Sequence, residues 1–472
     1  MLLSTKHANQ TTITVSNFTG GLNSTTIPEM IGDNQLSEAV NMEVDTSTGT
    51  LRTCSGTKLS YAPDIPIYAA MWDKINEEML FVSENRAVYL VNFTRRIHEK
   101  IGQLNGFLYP LYTEWEDGIL IAAGAKLQYY NGKKLITLND SPAVCDAVYI
   151  RAGRVFINHD NEIRYSAVGD ETDWKEDDNV DSASKFVEAG YKDGGKVIGL
   201  VNLSSDIIII KDNNRIYRLS GEYPAWSIRE ISREVDCSGR LSFCGIANGV
   251  FIVGENKLQL ISTTQEYGDM KAANVANNVI NLFAHLPKNP RCKYVPTLNQ
   301  VWILSKIGSV IVYDLTYSCF FERRFTSNVI DVISVNDTVY VIKENGIYVL
   351  DSNVFSDEAE PLEWRFMAKR IVSYYEYLLK RVQVSYISLL EEDNPAEVTV
   401  GAVTLKLKPM PASPLIYENN DLIYNNDSLL YPIVSQFGNT RCVYRNRYLD
   451  IKGKGSGSGI IFNKIMFDIV EV

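Results

Sequence analysis

IIIIKDNNRIYRLSG, from Ile207 to Gly221, sets four consecutive isoleucines against a polar turn at Lys211 to Asn214 and a second apolar run through Ile216, Tyr217 and Leu219. β-Branched and aromatic residues suit a pleated, half-buried surface, and Asn or Asp in the turn tolerates positive φ cheaply, so the stretch reads as a β-hairpin. Six other stretches have the same form: MLFVSENRAVYLVN from Met79, ILIAAGAKLQYYNG from Ile119, RVFINHDNEIRYSA from Arg154, VFIVGENKLQLIST from Val250, VWILSKIGSVIVYDL from Val301 and VYVIKENGIYVLDS from Val339. Their successive starts lie 40, 35, 53, 43, 51 and 38 residues apart.

A repeat of this length, with several strands per unit, is the mark of a β-propeller, in which small twisted sheets stack radially. One such sheet cannot cover its own two faces, whereas a ring supplies every face with a neighbour. The spacing therefore predicts an all-β chain with a propeller of about seven blades, six to eight being compatible, over residues 61–355. The competing arrangement is a β-sandwich rich in hairpins.

Outside the repeats the pattern changes. Residues 1–60 read as a polar N-terminal arm that supplies a strand to the propeller, with a short helix over Asn34 to Val40 capped by Asp33 or Asn34 and short strands around Val44 and Leu51. SDEAEP, Ser356 to Pro361, reads as a linker. Beyond it, RVQVSYISL, AEVTVGAVTLKLK and GIIFNKIMFDIVEV alternate in polarity, which predicts a C-terminal β-sandwich-like or barrel-like domain over 356–472. Its loop 414–432, PLIYENNDLIYNNDSLLYP, repeats tyrosine among Asn and Asp. That composition suits either a surface loop pinned by its aromatics or an arm lying on a neighbouring subunit, with Tyr417, Tyr424 and Tyr431 as contacts.

The 472 residues carry 46 Lys and Arg against 57 Asp and Glu, a formal net charge of −11. Such a surface repels nucleic acid on average and argues against DNA binding through a basic face. Lys380 and Arg381, with Arg441, Arg445, Arg447, Lys452 and Lys454, nevertheless skew the C-terminal region toward positive charge. An acidic protein partner, a neighbouring subunit or simple solubility accounts for them, with Lys380 and Arg381 as candidate interface residues. No apolar run is long enough for a membrane helix, and MLLSTKHANQ lacks the form of a signal peptide, so folding in a cytoplasm is expected.

Converging catalytic chemistry is sparse. Seven scattered cysteines and four scattered histidines have no zinc-ligand spacing and read as reduced thiols and isolated imidazoles. The run GDETDWKEDDNVD, Gly169 to Asp181, lacks the order of a calcium loop and reads as a solvated loop between blades; Asp170 and Asp173 would be the acid and base if the chain were a propeller glycan hydrolase. No phosphate-binding glycine loop or nucleophile elbow occurs. The reading is a chain with no catalytic, cofactor-binding or metal-binding residues.

The amino-terminal phrase Asn17-Phe-Thr-Gly-Gly-Leu-Asn23, then Pro28, Asp33-Asn-Gln-Leu-Ser-Glu-Ala-Val-Asn41-Met, Gly49-Thr-Leu-Arg-Thr53 and Gly56 resembles the opening of tail proteins of tailed bacteriophages. Arg164 to Asp170 with Trp174, the phrase Ile210 to Gly221 and the tandem tyrosines are similar to later parts of those proteins. The group most resembled is the tail-tube or nozzle proteins of short-tailed phages, also called packaged-DNA stabilisation proteins. The resemblance implies a structural virion protein, assembled in the host cytoplasm as a homo-hexameric ring below the portal and its adaptor. It implies further contacts with a tail needle, fibres or spikes, and a lumen through which packaged double-stranded DNA passes without sequence-specific binding. The net charge predicts an acidic lumen that does not retard the genome. The alternatives are the phage-associated glycan hydrolase and a propeller scaffold for protein binding.

Overall fold

The computed structural model describes residues 10–221, 225–263, 270–305, 308–388, 395–408, 424–425, 428–429 and 436–471. The chain is all-β apart from short helical turns such as Ile280–Phe283. It divides into two units, one of residues 59–308 and 327–349, the other of residues 1–58, 309–326 and 350–472.

The first unit is a succession of four-stranded antiparallel sheets: sheet 1 (67–103), sheet 2 (111–137), sheet 3 (147–188), sheet 4 (197–232) and sheet 5 (243–274). A pair, Arg291–Val295 with Gln300–Leu304, follows. Sheet 6 then runs through Val329–Val335, Thr338–Lys343 and Gly346–Asp351 and is closed by Gly56–Tyr61. The repeat seen in the sequence is the central hairpin of each sheet, as in Asp206–Lys211 with Ile216–Ser220. The copy at Val301 is divided: Gln300–Leu304 falls in this unit and Ser309–Asp314 in the other.

Sheets 1 to 5 pack face to face in chain order, sheet 6 packs on sheet 1, and strands 291–304 contact sheets 5 and 6. Leu80 and Val82 of sheet 1 meet Ile119 and Ile121 of sheet 2. Leu120 and Tyr129 meet Val155 and Ile157 of sheet 3. Phe156 and Tyr165 meet Ile207 and Ile209 of sheet 4, and Ile208 and Ile210 meet Val250 and Ile252 of sheet 5. Ile333, Ile342 and Ile347 of sheet 6 return to Met79 and Phe81 of sheet 1, with Tyr61 among them. The first strands touch in the same cyclic order, Val329–Val335 lying against Ile67–Asp73. This closed cycle is the β-propeller arrangement. It explains why Asp206–Lys211 and Gly249–Gly254 are buried at every position: both faces are covered.

Polar side chains bridge the cycle at its centre. The buried Asp331 carboxylate accepts from Tyr109 Oη at 2.7 Å and pairs with Lys293 Nζ at 2.9 Å. The Arg291 guanidinium lies 3.7 Å from the centroid of the Tyr109 ring and donates to the Ile330 carbonyl. Arg240 donates to the carbonyls of Tyr109 and Asp146. Burial, and then the Asp331 charge, push the Tyr109 phenol well above its ordinary value, so it remains a donor.

The second unit is built around two large sheets in which distant segments interleave, beside small two-stranded hairpins. One runs Met42–Val44, Leu51–Thr53, Ile460–Glu471, Ile371–Ser388, Gln436–Leu449, with Gln10–Val15 also on Ile460–Glu471. The other includes Ser309–Asp314, Cys319–Arg324, Gln35–Val40, Glu363–Ala368, Ile451–Ser456, Ala396–Val400 and Val403–Lys406. Phe462 of the first packs edge-on against Trp364 and Phe366 of the second, at 5.7 and 5.2 Å. The KGKG run at 452–455 is built for this contact. Gly453 and Gly455 sit opposite Phe366 and Trp364, whose rings occupy the space a Cβ would need, while Lys452 and Lys454 pair with Asp450 and Glu397.

The packing departs from the sequence reading in three places. Residues 10–58 are not an arm around the propeller alone. Only their last strand closes sheet 6, and the rest bury Phe18, Leu22, Leu36, Met42 and Leu51 within the interleaved unit, so the boundaries at 60 and 355 are not those of the packing. The expected helix at 34–40 is the strand Gln35–Val40, because pairing with Glu363–Ala368 outweighs local capping. The expected linker 356–361 is a small hairpin whose buried Asp357 accepts from Thr57 Oγ1 and, at 2.6 Å, from the Thr326 amide.

Candidate interaction surface

At its Ile371–Ser388 and Gln436–Leu449 end, the first sheet of the interleaved unit has one inward face and one open face, whereas Met42–Val44 is buried on both. On Ile371–Ser388 the residues Leu379, Val382 and Val384 turn inward to meet Ile469, Phe467 and Ile465. Two irregularities shape the other side. Against Ile460–Glu471, where Leu379 pairs with Ile469 and Arg381 with Asp468, Lys380 is one extra residue. Further along, residues 373–376 lie between the pairs Val372↔Tyr448 and Tyr377↔Asn446, so four residues oppose the single Arg447. A strand that must accommodate extra residues pushes them out of the ladder. Tyr374 is accordingly 87% exposed and Tyr375 60% exposed, their rings edge to face at 5.3 Å.

The neighbouring strand Gln436–Leu449 adds to this face. Its exposed side carries Phe437, Asn439, Arg441, Val443, Arg445 and Arg447 at alternate positions, and Val443 is 80% exposed. Between them Cys442 Sγ turns back to the Leu379 carbonyl, and Gly438 lies under Leu405. The result is an open patch of Tyr, Val and Phe among arginines.

The charges on this face are unevenly matched. Arg381 Nε pairs with Asp468 at 2.9 Å, and Asp468 also accepts from Thr12 Oγ1 at 2.7 Å. Arg445 lies 3.6 Å from Glu376. Lys380, Arg441 and Arg447 have no carboxylate within ion-pair reach among the described residues, although Arg441 stands directly opposite Arg381. Like charges facing each other across a ladder are unfavourable, so the face gains from an anionic neighbour.

Of the candidate interface residues, Lys380 and Arg381 lie on this face. Tyr417 and Tyr431 lie outside the described residues, and Tyr424 lies on the short strand Tyr424–Asn425, which pairs with Ser428–Leu429. Sequence reasoning missed Tyr374, Tyr375, Val443 and Phe437. YYEY at 374–377 reads as ordinary strand, and only the register reveals the insertion that exposes it.

The chemistry considered for a hydrolase is differently disposed. The acidic run 169–181 does not join two sheets. It lies within sheet 3, between Glu162–Tyr165 and Lys185–Glu188. Asp170 accepts from Thr172 Oγ1 and the amides of Thr172 and Asp173, and these bonds hold its carboxyl below the ordinary value, the reverse of what a general acid needs. Asp173 accepts from the Lys175 amide. Among the described residues no group of three or more His, Cys, Asp or Glu could hold a metal ion, and no helix is long and apolar enough to cross a membrane. The seven cysteines are free thiols, and burial pushes Cys54, Cys145 and Cys237 up to about 12, so they are poor nucleophiles.

No protein-family model matches this chain, and no curated protein matches it. Among solved structures it is similar to that described as the crystal structure of BamB from Moraxella catarrhalis, with 9% identity over 73% of this chain and 97% of that one and a TM-score of 0.41.

Proposed function

We propose that this chain is a structural subunit of the tail of a short-tailed bacteriophage. Six copies form a ring below the portal and its adaptor, extend the channel through which packaged DNA leaves, and carry further tail components. In this reading the pair Arg291–Val295 and Gln300–Leu304 is the inner half of a seventh blade, and the interleaved unit is a sandwich-like domain. The chain acts in the virion as scaffold and conduit, without catalysis.

The observation that carries the reading is what the residues of the phage-like opening phrase do. Asn41, with a left-handed φ of 52°, donates through its side chain to the Glu363 carbonyl at 2.7 Å and accepts from the Arg324 amide at 2.7 Å, joining three distant segments. Gly21 also has positive φ and lies where a Cβ would strike Cys319. Phe18 is buried against Phe366. Asn23 Nδ2 donates to Gln35 Oε1 at 3.0 Å. The phrase is therefore the framework of one unit, which is how a resemblance at scattered positions acquires a physical meaning.

Electron microscopy of the purified protein, alone and mixed with a portal–adaptor complex, tests the proposal. Sixfold rings, free or on the adaptor, are expected. Monomers that ignore the adaptor would move the assignment to a propeller scaffold or an enzyme.

A further inference from the structure

The open face of the long ladder and the acidic loop at 169–181 belong to different units of one chain and carry opposite charge. The loop holds seven carboxylates, at Asp170, Glu171, Asp173, Glu176, Asp177, Asp178 and Asp181, against the single Lys175. Most of it is exposed. It is nonetheless well anchored. The buried Arg154 donates to the carbonyls of Ser166, Ala183 and Asp181 at 2.8, 2.7 and 2.6 Å, which fixes both ends. Trp115 Nε1 donates to Glu171 Oε2 at 3.0 Å, and Trp174 Nε1 to the Glu171 carbonyl at 2.8 Å.

The negative charge of this region exceeds what its own cations neutralise. Glu176 has Arg164 at 3.2 Å, whereas Asp178 and Asp181 have no cation within ion-pair reach among the described residues. The carboxyl of Glu116, on the adjoining turn of sheet 2, is raised by burial and then by repulsion from Glu171, Asp117 and Asp170. A held, uncompensated anionic loop loses little conformational freedom when it meets a cationic surface.

We propose that the open face around Arg441, Arg447, Lys380, Tyr374 and Val443 docks the acidic loop 169–181 of a second copy of this chain. The inference rests on the ring reading and deepens it by naming the two halves of the subunit contact. A contact between different patches of identical subunits is heterologous, the kind that propagates around a ring. Tyrosine and arginine at the centre of the face favour a protein partner over a DNA backbone, which would need cations alone. Lysine or arginine close to a desolvated carboxylate couples by more than about 1.4 kcal/mol, a tenfold change in affinity.

The test is charge reversal followed by exchange, read by sedimentation velocity at low and high salt. One variant carries Arg441→Glu with Arg447→Glu, the other Asp178→Lys with Asp181→Lys; none of these side chains makes an ion pair within its own described chain. The wild type is expected to associate in a salt-sensitive manner and each variant to associate at least about tenfold more weakly. A mixture of the two, whose patches are again complementary, should recover the association. Wild-type protein that stays monomeric at every concentration, alone and with the adaptor, overturns the docking, as does association that neither reversal changes or that the mixture does not recover. Loss of random-sequence duplex DNA binding in the arginine variant, with self-association intact, would assign the face to DNA instead. Rings on the adaptor that are indifferent to the reversals sink this contact and leave the tail reading standing, whereas absence of rings under any condition sinks the tail reading.

Discussion

The strands Asp206–Lys211 and Gln436–Leu449 show two ways in which one chain uses a β-ladder. The first is buried at all six positions because sheets 3 and 5 cover its two faces. The second alternates between half-buried and exposed, and its exposed side carries arginines, Val443 and Phe437. In the propeller, neighbouring sheets cover one another's faces. The interleaved unit closes one face with Trp364, Phe366 and Phe462 and leaves the other open. Both faces of a strand are covered where the cycle closes, and the proposed docking face lies where they are not.

The largest effect is expected at the centre of the propeller. Asp331→Ala would strip the Tyr109 hydroxyl of its acceptor and leave the half-buried Lys293 without its counter-ion. Breaking a buried pair in this way costs about 3–5 kcal/mol. Denaturant unfolding followed by tryptophan fluorescence should show that loss, and a change below about 1 kcal/mol would mean that the central bridge is not needed to close the cycle.

A smaller loss is expected in the interleaved unit from Gly453→Val. The new side chain would collide with the Phe366 ring, and overpacking of this kind costs about 1–3 kcal/mol. If the two units unfold separately, calorimetry should show only one transition move, which would turn the comparison of units into a comparison of cooperative blocks.

Acidification should distinguish the same unit in another way. Burial tends to raise the Glu43 carboxyl, but the guanidinium groups of Arg323 and Arg52 outweigh it, and its pKa falls below the ordinary 4.5. Burial likewise opposes Arg370 and Lys452 at Asp450, and the cations prevail. A carboxyl whose folded pKa is depressed contributes stability that is complete above its unfolded pKa and lost as pH falls through the folded value. The interleaved unit should therefore weaken below pH 4.5, and Glu43→Gln should flatten that dependence while lowering stability at neutral pH. A pH profile unchanged by the substitution would show that the Glu43 pair contributes no proton linkage.

Much of the propeller was legible because its hairpins state themselves locally. Asn256, Asn214 and Arg86 take positive φ in turns between runs that are apolar whichever face they present. The interleaved unit was less legible for a physical reason: its pairings join residues hundreds of positions apart, as Asn41 joins Glu322 and Glu363. No local periodicity records such a partner. For the same reason Asp357 read as part of a linker although it is buried, and the copy of the repeat at Val301 gave no sign that its second half belongs elsewhere. At the open face, Lys380 and Arg381 could be found by charge, whereas the apolar half of the patch depends on a register irregularity that composition does not reveal.

The smallest expected change in stability is also the sharpest test of the contrast. Tyr374→Ser combined with Val443→Ser removes an aromatic and an aliphatic side chain that are 87% and 80% exposed. Surface substitutions away from buried partners usually stay within about 0.5 kcal/mol, so the unfolding midpoint of the isolated chain should hardly move. Apolar residues at the middle of a contact, however, exclude water from the charges around them, and their removal weakens each nearby ion pair as well as the packing. Self-association of this variant should therefore fall, chiefly through faster dissociation, while folding is retained. A variant that loses stability as a core mutant does would show that this face is already covered within the chain. One that unfolds and associates like the wild type would show that the exposed tyrosine and valine take no part in recognition.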